Sequence, residues 1–266
     1  MTPCQSRKEV PAITQVCYRY DGSFGGFLTC IFDVYAHREP PAEFLTRADE
    51  TVTLWPERPV ETDRSHAMRV HRALREKVSP EFQRLVERGF LTCLPRRELD
   101  LCTLIRRGFS EGDRVRMDLA DPTVARVMLA LRKLDTEVDH LKGFIRFSEL
   151  DGVLAGEIEP KNRVLPLLAD HFAARLSGEK LALYDRTHGE AFFYADGKRA
   201  ILPVENFRLG PAGGVELGWR ALWRSFYRTI SIEGRYNPRC RMTHMPKRYW
   251  GTMTEFQTEE ERKELP

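Results

Sequence analysis

The chain has 266 residues, 42% of them hydrophobic and 30% charged, with a formal net charge of +3, which is the make-up of an ordinary globular protein. That length buries a full core, as one large domain or two modest ones. No apolar run approaches the roughly 20 residues that cross a bilayer, and MTPCQSRKEV lacks the apolar stretch of a secretory signal. The expectation is a cytoplasmic protein with no membrane partner.

Six cysteines (Cys4, Cys17, Cys30, Cys93, Cys102 and Cys240) are scattered without a Cys-x-x-Cys pair. This excludes a clustered-thiolate zinc or iron–sulfur site and points to reduced, mostly buried thiols.

The run QVCYRY predicts a strand and Asp21-Gly22 a turn. Ser23 then caps a helix through about residue 36, with Phe24, Phe27, Leu28, Ile31 and Tyr35 at helical spacing. Gly25 and Gly26 in its first turn serve either tight packing on the preceding strand or close approach of a ligand, such as an anion at the helix start. Residues 38–64 read as irregular, with one short strand at 51–54.

Residues 65–142 read as mainly helical. Ser79-Pro80 and Asp121-Pro122 each pair an N-cap with a first-turn proline. After the second pair, Val124, Val127, Met128, Leu131, Leu134, Val138 and Leu141 form one apolar stripe, with Arg126, Arg132, Lys133 and Glu137 off it. The period then changes. GFIRFSEL and VLAGEIE flank Asp151-Gly152 as a hairpin, a helix follows at 163–176, and KLALYD, EAFFYA and KRAIL add three strands, the last two joined at Asp196-Gly197. The expected fold class is α+β, an antiparallel sheet covered by helices. No repeat or low-complexity linker appears, so one domain over 1–266 is expected, with a helical subdomain at 65–142.

Residues 219–250 stand out. Arg220, Arg224, Arg228, Arg235, Arg239, Arg241, Lys247 and Arg248 face Glu233 alone, with Trp219, Trp223, Phe226, Tyr227, Tyr236, Tyr249 and Trp250 threaded among them. Guanidinium groups hold phosphates bidentately and flat rings stack on bases, so this box points to a nucleic-acid backbone. Helical spacing predicts that Trp219, Leu222, Trp223, Phe226, Tyr227 and Ile230 are buried, beside a row of Arg220, Arg224 and Arg228. Pro238 and Pro246 predict an extended loop after Arg235, in which Asn237 and His244 supply hydrogen bonds. Tyr236, Tyr249 or Trp250 would stack on a base.

A second candidate site lies on the helix at 163–176. His171 and Arg175 fall within its apolar arc, so they either project into a pocket or form a salt bridge to Asp185 or Glu149. His140, Lys142 and Arg146 cluster nearby in sequence, and either join that pocket or offset a helix C-terminus. Asp185-Arg186-Thr187-His188 ends a strand as part of a site or as a charged turn. No P-loop, Rossmann glycine pattern, His-Glu-x-x-His, deaminase motif or Gly-x-Ser-x-Gly is present. No cofactor or metal is expected.

The blocks YDGSFGGFLTCIFDVY, HLKGFIRFSEL, IEPKNRVLPLLADHFAARL, LALYDRTHGEA and RYNPRCRMTHMPKRYWGTMTEF resemble an uncharacterised bacterial family labelled probable DNA metabolism, or putative DNA repair, protein. The resemblance runs in order over nearly the whole chain. It departs at Gly25, where the family more often has a polar or acidic residue. The resemblance implies a DNA-repair or DNA-modification role beside a radical-SAM protein, and some members are fused to a uracil-DNA glycosylase domain whose motifs this chain lacks.

Three functions follow as expectations. The chain binds DNA through its basic box, or it processes a damaged base with His171 as acid/base and Arg175 beside it, or it is an adaptor for the radical-SAM partner. The acidic end, Glu255 to Glu264, either aids solubility or folds back on the arginine row.

Overall fold

The computed structural model describes residues 15–205, 207, 210, 213–230 and 232–256. The chain divides into two units, residues 1–131 and 132–266, and the division falls inside one long helix.

In the first unit, strand β1 (Val16–Tyr20) is buried on both faces, as the middle strand of a parallel sheet must be. It pairs with β2 (Pro41–Thr46) and β3 (Glu57–Pro59) in the order β2-β1-β3. The strand expected at 51–54 is absent: Val52 and Leu54 are exposed, and the flanking segments enter the sheet instead. Arg19 helps to decide this, because its guanidinium binds the carbonyls of Thr46, Asp49 and Thr51 and the carboxylate of Glu57, gathering the segment into a loop.

Helix α1 (Phe24–His37) starts at Ser23, whose hydroxyl accepts from the Gly26 amide at 2.9 Å. A Cβ on Gly26 would collide with Asp21 Oδ1 and lie 2.9 Å from Thr62 Oγ1. Asp21 accepts from the Ser23 amide and the Thr62 hydroxyl, so tight packing explains this glycine, and a carboxylate already lies beside the first turn of the helix.

Helices α2 (Arg64–Ala73), α3 (Pro80–Phe90) and α4 (Arg97–Glu111) follow in the same unit. Ser79 caps α3 and Asp121 caps α5 (Pro122–Phe144), each followed by proline in the first turn. Along α5, Val124, Val127, Leu131, Leu134, Val138 and Leu141 are buried as expected. Glu137 is buried too, against expectation. Of the five described cysteines, Cys17, Cys30 and Cys102 are buried and Cys93 and Cys240 exposed; burial pushes the Cys102 thiol up to about 12.

The second unit is built on a five-stranded sheet in the order β4-β5-β6-β7-β8: β4 (Ser148–Leu150), β5 (Val153–Ile158), β6 (Leu181–Asp185), β7 (Glu190–Ala195) and β8 (Lys198–Pro203). The α+β class stands, and the sheet is mostly antiparallel. The exception is the β5/β6 pair, which is parallel because α6 (Leu165–Arg175) carries the chain back between them. Asp151-Gly152 and Asp196-Gly197 make the two tight hairpin turns, with positive φ at all four residues. β4 is shorter than GFIRFSEL implied: Phe144 still belongs to α5, and residues 145–147 connect the two.

Candidate functional site

Helix α7 (Gly214–Thr229) opens the basic box without a side-chain cap. Its expected buried stripe is largely exposed, with Tyr227 alone packing against Phe256. Trp219, Leu222, Phe226 and Ile230 face outward, Trp223 is partly covered, and no α7 residue is buried. The face that packs is the neighbouring one. There Arg220 donates to Glu216 at 2.7 Å and to Ser148 Oγ at 2.6 Å, and Trp223 Nε1 donates to Glu255 at 3.1 Å. Burial pushes Glu216 up, yet hydrogen bonds from Arg220, Ser148 and the Glu149 amide, with the Arg220 charge, outweigh it and hold the carboxyl below the usual range.

The expected extended loop contains a helix, α8 (Pro238–His244). Asn237 accepts from the Cys240 amide at 3.0 Å, so Asn237-Pro238 repeats the cap-plus-proline device of α3 and α5. Asn237 is therefore spent on the cap. A 3-10 segment, Lys247–Thr252, follows and buries Tyr249 and Trp250. Trp250 stacks on Phe256 at 4.4 Å and donates to the Met245 carbonyl, while Tyr249 packs against His140 and Phe144. Both rings lie in the core, so the expectation that they stack on a base is corrected. Tyr236 remains open, at 71% exposure.

The cations sort in the same way. Arg248 pairs with Glu137 at 2.9 Å and donates to the Tyr249 hydroxyl. Arg241 lies 4.8 Å from the Trp250 ring and Lys247 lies 5.6 Å from it. These three, expected to hold phosphates, serve the fold. Arg235, Arg239 and His244 are exposed, Arg224 is half-buried and Arg228 is exposed. Arg224, Arg235 and Arg239 have no carboxylate partner among the described residues.

Three acids, two of them buried, organise this region, and sequence reasoning missed all of them. Glu137 accepts from the amides of Lys161 and Asn162, from Asn162 Nδ2 at 2.6 Å and from Arg248. Glu255 takes both arms of Arg146, at 2.6 and 3.2 Å, together with Trp223. Glu216 is the third. The one available signal was arithmetic: so many cations in a folded segment call for buried acids nearby. Glu255 was counted with the acidic end, yet it is buried, and residues 257–266 lie outside the described residues.

The second candidate set does not assemble. Arg175 is exposed rather than on the buried face of α6, which Leu165, Leu168, Ala169 and Phe172 form. His171 is half-buried, with its Nε2 enclosed and without a hydrogen-bond partner among the described residues. Burial, then the charges of Lys142 and Arg175, push its pKa below the usual value, so the ring is neutral at neutral pH. Neither Asp185 nor Glu149 pairs with it. His140 sits in the aromatic cluster, Lys142 pairs with Asp139, and Arg146 pairs with Glu255.

Asp185 closes a turn instead. It accepts from the Thr187 and His188 amides and meets His188 Nδ1 at 2.6 Å. Among the described residues no group of three or more His, Cys, Asp or Glu could hold a metal, and no helix is long and apolar enough to cross a membrane.

A family model described as a domain of unknown function, DUF4130, matches residues 95–255. The matched span takes in α4, α5, the whole sheet of the second unit and the basic box. No curated protein matches the chain.

Proposed function

The chain belongs to the DUF4130 family, a domain of unknown function, and we propose that it binds DNA through the second unit, as the DNA-holding member of a repair or modification reaction shared with a radical-SAM partner. The supporting observation is the sorting of the box. Arg220, Arg241, Lys247 and Arg248 are engaged by acids or rings, whereas Arg224, Arg235 and Arg239 have no carboxylate partner among the described residues and Arg228 faces outward. Arg235 and Arg239, which flank the exposed Tyr236 in sequence, suit a phosphate backbone with an accessible base. The DNA and radical-SAM context comes from the sequence blocks, and the surface charge supplies the physical means.

A fluorescence-anisotropy titration over a salt series tests this. If Arg224, Arg235 and Arg239 each neutralise a phosphate, the log–log slope is about −2 to −3, and each Arg→Gln change removes about 0.7 to 0.9 of a unit. Binding that ignores salt, or no binding at low salt, overturns it.

A further inference from the structure

The exposed face of α7 is the feature that DNA binding does not use. Val215, Trp219, Leu222, Phe226 and Ile230 are each more than half exposed. They recur every three or four residues. At about 100° per residue they fill an arc of about 80°. Arg224 and Arg228 lie about 120° or more from every member of that arc, and Arg220, about 80° from Ile230, is held by Glu216 and Ser148, so the stripe itself offers no grip on phosphate. Its borders are Gly218, Ala221, Ser225 and Thr229 on one side and Trp223 on the other, with the Glu216–Arg220 ion pair just beyond Trp223. Apolar rows of this length on an otherwise charged surface mark protein contacts.

We infer that this face pairs with a second copy of the chain, α7 against α7, antiparallel about a two-fold axis near Leu222. Three observations select a second copy. The stripe is self-complementary, since a two-fold at its midpoint sets Val215 against Ile230 and Trp219 against Phe226 of the other copy, and each contact occurs twice. The charge arrangement permits it, because the arginines of both helices point away from the seam and are screened beyond about 8 Å at physiological salt. The area suits a weak, reversible dimer: the outward parts of five such side chains amount to roughly 500 Å² per copy, about 1,000 Å² for the pair, the level a biological interface must clear and below the roughly 1,200 Å² of stable ones. Small residues along one border let the helices approach closely.

Sedimentation equilibrium of the full chain without DNA tests this. A dimer with a micromolar dissociation constant is expected, with Trp emission shifting to the blue as concentration rises. Leu222→Glu and Phe226→Glu should each weaken association at least about tenfold while leaving the far-UV circular dichroism unchanged, because both residues are already exposed. Arg239→Gln should leave the dimer intact. A monomer at about 200 μM, or a dimer that survives both glutamate variants, overturns the proposal. Because no DNA is present, this result is independent of the DNA-binding reading.

Discussion

The two halves of the basic box have nearly the same composition and opposite fates. In 214–239 Trp219, Phe226, Tyr236, Arg228, Arg235 and Arg239 face outward while Arg220, Trp223 and Tyr227 pack inward. In 241–256, by contrast, the rings turn in, with Trp250 on Phe256, Arg241 over Trp250 and Arg248 on Glu137. What separates them is the supply of buried partners. The inner half has two carboxylates with almost no exposed surface, Glu137 and Glu255, each accepting several donors. A cation beside such an acid or over a buried ring is structural, and one with neither is left for solvent or a ligand. Counting charges along the chain cannot make that distinction.

The largest test of the contrast is Trp250→Ala, which empties a fully buried ring site in the inner half. A loss of about 3–5 kcal/mol in stability is expected from chemical denaturation. A loss below about 1 kcal/mol would return Trp250 to the surface and dissolve the distinction.

Next is Glu255→Gln, which leaves Arg146 without its bidentate partner. A cost of about 2–4 kcal/mol is expected, with partial recovery in Glu255→Gln/Arg146→Met, since an apolar pair often replaces a buried ion pair without loss. Absence of recovery would show that Glu255 acts through Trp223 alone.

The outer half predicts the reverse. Arg235→Gln and Arg239→Gln should each change stability by less than about 0.5 kcal/mol while weakening DNA binding several-fold at low salt. A destabilised variant with unchanged DNA affinity would place these arginines with the inner set.

The smallest effect concerns His171. Its folded-state pKa lies below the ordinary 6.5, so the unfolded chain takes up a proton first as pH falls. Stability should decline as pH drops from just above 6.5 through the lower folded value, and His171→Gln should flatten that part of a melting-temperature profile between pH 7.5 and 5. An unaltered profile would show that the ring feels neither burial nor its cationic neighbours.

The sequence by itself determined the local elements of this protein. Strand β1, the caps at Ser23, Ser79 and Asp121, the stripe of α5, both Asp-Gly hairpins and the helix α6 were legible because capping, turn chemistry and hydrophobic period act over a few residues. Asn237-Pro238 carries the same cap-plus-proline signal, but a proline ends an element as readily as it starts one, and only the folded chain shows that it starts α8. Tertiary structure decided the rest. Whether the α7 stripe was buried depended on which face of the helix met residues 254–256, and an amphipathic pattern specifies a face without specifying that anything covers it. Glu137 and Glu255 are far apart in sequence, and each is held in the interior by donors that reach it only after folding. Desolvating a carboxylate is favourable only once those donors are in place, so only the folded arrangement separates the structural arginines from those free to meet a phosphate.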